Sequence, residues 1–217
     1  MVVGVLRIPG YDSIKRWNTQ GRRENGPLRA YSRYHLGGFY KGTLISQEFC
    51  AIIGSTNPLL REDDMKIKRC VKKSFVVIGK AGSTLDGEGF IQRLWNDANT
   101  HFGEIQHLAK KDENGNISGI WGAMSDFSRS FNPWEDFNRG LYLAGVECRE
   151  DVEAPSGWTK WIVPGYEYIY IECENDSTFS DAVKYLEDNA IPLVGAVHDF
   201  TCPQTGKNYL FFPIRKL

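Results

Sequence analysis

Residues 158–174 read WTKWIVPGYEYIYIECE, and the alternation within this stretch decides how the chain is built. As one β-strand it sets Tyr166, Tyr168, Tyr170, Glu172 and Glu174 on one face and Glu167, Ile169, Ile171 and Cys173 on the other, because successive side chains of a strand point to opposite sides. The aliphatic face is a core surface. The second face, aromatic running into carboxylate, suits a pocket for a flat or cationic small molecule.

Working upstream, residues 70–79 (CVKKSFVVIG) are rich in β-branched and aromatic side chains and predict a strand. Residues 88–111 predict a helix: Ile91, Leu94, Trp95, Ala98, Phe102, Ile105 and Leu108 recur mostly every three or four positions, and the turn Asn114-Gly115 closes the segment. Two further strands are expected over 117–127 and 137–149. Downstream, 178–189 predicts a second helix with Thr178 and Asp181 as its capping box. Strands at 192–201 and 209–217 flank the turn PQTGK. The order is β-α-β-β twice, near 70–149 and 158–217, an α+β fold of two modules side by side. One helix covers one sheet face in each module, so a ligand cleft is expected between the uncovered faces.

That geometry nominates site residues. Tyr166, Tyr168 and Tyr170 face the cleft, Trp121, Tyr142, Trp158 and Tyr209 lie on or beside strands that join them, and Glu147 and Glu172 supply carboxylates. A simpler reading stands beside each: tyrosine has high β propensity and keeps its hydroxyl in water on an exposed sheet, and Glu172 and Glu174 suit a solvated strand end. Trp95, on the apolar stripe of the first helix, reads as packing.

Composition removes several classes of function. The 217 residues are 41 % hydrophobic and 24 % charged with a net charge of -1, which lacks the basic footprint of a nucleic-acid-binding domain. Apolar runs fall far short of the roughly 20 residues of a spanning helix, and residues 1–10 do not form a signal peptide, so a cytoplasmic location without membrane contact is expected. Five cysteines, widely spaced and without a CxxC pair, read as reduced thiols. The four histidines are scattered, and no phosphate loop or GxSxG elbow occurs. Neither metal nor cofactor is expected.

Residues 1–64 differ in pattern, with clusters such as RRENGP at 22–27 and no sustained periodicity. They read either as an extension docked on the rest or as a segment outside the natural product. In the second reading Met65 is the start, since codons for Arg61-Glu62-Asp63-Asp64 can resemble a ribosome-binding site.

Four stretches in order carry a resemblance: FIQRLW at 90–95, LYLAGV at 141–146, PSGWTKWIVPGYEY at 155–168 and Phe212-Pro213-Ile214. Through them residues 65–217 resemble the GyrI-like small-molecule-binding family, the effector-binding domain of AraC-type and MerR-type bacterial regulators. The resemblance implies two β-α-β-β modules with a ligand between them. It also implies a carboxylate ahead of an aromatic residue on the penultimate strand, placed here at Asp199-Phe200 after His198, where the family commonly has Glu. The regulators add a DNA-binding helix-turn-helix. Residues 1–64, with Gly37-Gly38 and Gly42, show no such helix pair, which points to a stand-alone protein without direct nucleic-acid contact. Its expected partner is a hydrophobic or cationic drug-like molecule. Two alternatives follow from the same resemblance: a hydrolase of strained cyclopropane-type DNA alkylators, using water with Glu147, Glu172 or Asp199, and a protein-binding inhibitor such as a gyrase modulator.

Overall fold

The computed structural model describes residues 66–217; the readings of residues 1–64 and of Met65 as a start lie outside the described residues. Eight strands, β1 (Lys68–Lys72), β2 (Phe75–Ser83), β3 (Ile120–Ser125), β4 (Leu141–Cys148), β5 (Thr159–Val163), β6 (Tyr166–Glu172), β7 (His198–Thr201) and β8 (Asn208–Lys216), join two helices, α1 (Phe90–Thr100) and α2 (Thr178–Asp188). They form one antiparallel sheet in the order β1-β6-β8-β7-β3-β4-β2-β5. The two modules expected from sequence are there. One is β2-α1-β3-β4, the other β6-α2-β7-β8, and they meet where Trp121 faces Phe200 and Gly122 faces Asp199 across β3 and β7. No described helix is long and apolar enough to cross a membrane.

Residues 158–174 do not form the single strand expected. Pro164, which has no N–H to give a ladder, and Gly165 divide the stretch into β5 and β6, and these pair with opposite edges of the sheet, β5 with β2 and β6 with β1. Trp158 precedes β5. The stretch 70–79 breaks in the same way at Lys73-Ser74 into β1 and β2. The two breaks touch: a Cβ on Gly165 would lie 3.0 Å from the Ser74 backbone nitrogen.

This double break makes the sheet curl. Lys72 and Phe75 are three Cα steps apart, at most about 11 Å, yet β1 and β2 hold the first and seventh places in the strand order. In a flat sheet six strand spacings would hold them about 29 Å apart. The faces without helices therefore turn toward each other, and the aromatic side chains between them pack together as a core. Tyr166 and Tyr168, both 0 % exposed, pack in it with Phe75, Trp121, Phe200 and Phe211.

The alternation within β6 is as expected. Ile169 and Ile171 pack under α2 with Ala182, Leu186 and Phe212, while the tyrosines point inward. The first helix is shorter than expected, ending at Thr100, where Asn99, Thr100 and Gly103 are weak helix formers. A short 3-10 turn over Phe102–Glu104 follows, and Phe102, Ile105 and Ala109 still cover the sheet beside α1. Thr178 does not cap α2; Ser177 is the N-cap, its hydroxyl donating to Asp181 Oδ2 at 2.5 Å, and Thr178 Oγ1 donates to the Asn175 carbonyl at 2.9 Å.

Candidate functional site: a carboxylate under aromatic rings on the helix-bearing face

Strand alternation places two site candidates where the modules meet. Along β4, Val146 and Cys148 point toward α1 while Leu143 points into the inner core, which puts Tyr142 on the helix side and Glu147 inside. Along β7, Phe200 faces the inner core, so Asp199 turns to the helix side as well. Gly122 of β3 lies between them. A Cβ there would collide with the Tyr142 hydroxyl and come within 2.9 Å of Asp199 Oδ2, so the bare backbone leaves the space in which the two side chains meet.

They meet through a hydrogen-bond chain. Trp95 Nε1 of α1 donates to Tyr142 Oη at 3.2 Å, and Tyr142 Oη donates to Asp199 Oδ2 at 2.8 Å. Burial pushes the Asp199 carboxyl up to about 6, against the bond from Tyr142, which favours the charged form. No basic side chain among the described residues forms an ion pair with it. The half-buried rings of Phe90 and Phe179 stand on the two helices. Phe90 of α1 lies edge-on to Tyr142 with centroids 6.4 Å apart, and Phe137, from the loop before β4, meets Phe179 of α2 at 5.5 Å. Asp136 and Phe137 take φ of 48° and 55°, a left-handed conformation that costs non-glycine residues energy and clusters at functional sites.

The other sequence candidates lie elsewhere. Trp121, Glu147, Tyr166, Tyr168, Tyr170 and Tyr209 are on the inner face, where Tyr170 stacks on Phe211 at 5.1 Å and Trp121 Nε1 donates to Glu147 Oε2 at 3.3 Å. Burial raises the pKa of the Tyr166 and Tyr168 hydroxyls. Trp158 belongs to the α1 side, donating to Glu104 Oε2 at 2.7 Å with the Lys80 ammonium 4.4 Å from its ring centre. Glu172 is paired with Lys207 at 2.8 Å. Sequence reasoning did not select Trp95, Phe90, Phe137 or Phe179. Phe90 and Trp95 lie within the FIQRLW stretch; nothing in the sequence links Phe137 to Phe179. Among the described residues no three His, Cys, Asp or Glu side chains gather as a metal site.

The two-module arrangement is the one that the sequence resemblance implies. No protein-family model matches the sequence, and no curated protein matches it. Among solved structures, SAV2435 bound to tetraphenylphosphonium aligns over 70 % of this chain and 94 % of its own, at 13 % identity and a TM-score of 0.48. The C-terminal domain of EcmrR aligns over 70 % of this chain and 100 % of its own, at 10 % identity and 0.48. EcmrR in its DNA complex aligns over 72 % and 60 %, at 10 % and 0.49.

Proposed function

We propose that this protein binds a hydrophobic, aromatic small molecule carrying positive charge between α1 and α2, for sensing or sequestration. The observation that carries this reading is the Asp199 carboxylate: half-buried, raised to about 6, and hydrogen-bonded by the Tyr142 hydroxyl. A carboxylate partly withdrawn from water in this way is costly to ionise, and a cationic ligand supplies the missing counter-charge. The rings of Phe90, Trp95, Phe137 and Phe179 provide the apolar and quadrupolar surface, with cation–π contacts worth about 0.5 to 2 kcal/mol each. Tyr142, fixed by Trp95, sets the direction in which the carboxylate is presented.

The test compares charge at constant shape. Tetraphenylphosphonium and the neutral triphenylphosphine oxide are titrated against intrinsic tryptophan fluorescence, which reports Trp95 among others. The reading requires saturable binding of the cation and at least about tenfold preference for it, or 1.4 kcal/mol. Equal affinity for the two compounds contradicts it.

A further inference from the structure

The inner face holds a second cation environment, and the chain itself fills it. Glu147, 2 % exposed, accepts from Lys72 Nζ at 2.9 Å on Oε2, from Lys110 Nζ at 3.1 Å on Oε1 and from Trp121 Nε1. The two lysines are not equivalent. Lys110 has 52 % of its side chain exposed, Lys72 only 22 %. Beyond the carboxylate, the Lys72 ammonium lies 4.4 Å from the centre of the Phe75 ring and 5.5 Å from that of Trp121. These two rings are themselves in contact, centroids 4.8 Å apart.

A carboxylate and two aromatic faces around one ammonium is the arrangement by which proteins recognise organic cations. Here the ammonium arrives from across the modules. Lys72 is on β1, which pairs with β6 of the second module, while Glu147 is on β4 of the first. We propose that Glu147, Trp121 and Phe75 form a cage for a primary alkylammonium, that Lys72 is its built-in occupant, and that Lys72 thereby closes the inner face to cationic ligands. This is independent of the Asp199 reading, because Asp199 and Tyr142 lie on the opposite face of the sheet.

Chemical rescue tests it. Thermal unfolding of wild type and Lys72→Ala is followed in propylammonium chloride and in potassium chloride at equal ionic strength. Lys72→Ala lowers Tm, and propylammonium restores about half or more of the loss with a saturating dose response, as a ligand of the native state must. Wild type responds to the two salts alike, and the double variant Lys72→Ala with Glu147→Gln is not rescued. Rescue no greater than that by potassium, or undiminished in the double variant, overturns the proposal. Should Lys72→Ala not fold, NMR of the wild-type lysine ammonium groups decides. An occupant of the cage shows a Lys72 signal shifted upfield by the rings and slowed in solvent exchange, whereas a signal at the average lysine position overturns the assignment.

Discussion

Tyr142 of β4 and Asp199 of β7 share a hydrogen bond, 2.8 Å from Oη to Oδ2, that crosses from one module to the other. Because the site straddles this seam, each side of the bond can be changed without touching the helix beneath the other module.

Ligand affinity will depend on pH through Asp199. With the free carboxyl at about 6, cation binding requires the ionised form, so affinity rises as pH increases through about 6 and levels off above it. Titrations from about pH 5 to 8 check this. In Asp199→Asn the dependence over this window is lost.

Stability runs the other way. Asp199 has a folded pKa above its unfolded value of 3.8, so the folded state holds the proton more tightly, and stability falls as pH rises from about 4 through about 6. Asp199→Asn removes that loss and gains up to about 3 kcal/mol above pH 6, the carboxyl having been raised from 3.8 to about 6. His198 acts oppositely: its folded pKa, driven down to about 3 by burial, lies below the unfolded value of 6.5, so its contribution is lost as pH falls through this interval. Urea unfolding of wild type and variant at each pH isolates the Asp199 contribution, since the His198 contribution cancels in the difference.

Tyr142→Phe takes away the donor to Asp199 and the acceptor of Trp95 Nε1 together. Leaving these half-buried groups unpaired costs about 1 kcal/mol, the lower end of what full burial would cost. The Asp199 carboxyl titrates higher still, so the midpoint of the pH-dependent binding curve moves up. A midpoint that stays in place would show that the bond does not set the carboxylate's charge.

Gly122→Ala drives a methyl group into the Tyr142 hydroxyl and toward Asp199. Overpacking of this kind costs about 1 to 3 kcal/mol, and the Tyr142–Asp199 bond cannot form in its present geometry. Loss of cation binding in a folded Gly122→Ala protein, shown by unchanged far-UV circular dichroism, is the expected result.

Tyr168→Ala will report on stability rather than on the site between the helices. Its ring, 0 % exposed, lies 5.6 Å from those of Tyr166 and Phe211, and truncating so large a buried ring costs about 3 to 5 kcal/mol. Denaturant midpoints check the loss; binding by the fraction that remains folded is expected to be unchanged.

Much of this architecture is legible locally. The alternation of 166–172 assigns Ile169 and Ile171 to the helix side and the tyrosines to the other, and the 3.6-residue period gives α2 its inner face. Where β5 and β6 go is not local. Pro164-Gly165 is visible as a break, but that the two halves join opposite edges of the sheet depends on pairing with β2 and β1, which lie some 80 to 100 positions away in the chain. Once the sheet curls, the aromatic face is a core. Trp95 shows the same limit, since helical periodicity places its ring against the sheet without revealing that its N–H meets Tyr142, 47 residues on. Asp199 came into view through the family resemblance, as a carboxylate before an aromatic residue. Phe137 and Phe179 meet through a loop and a helix from different modules, a contact that no sequence spacing encodes.

The most direct test of the central claim is calorimetric titration of tetraphenylphosphonium into wild type and Asp199→Asn at about pH 7.5, where the wild-type carboxyl is ionised. Binding to wild type with a dissociation constant that weakens about tenfold or more in Asp199→Asn is the result predicted. The same affinity in both proteins, with Asp199→Asn fully folded, would contradict it.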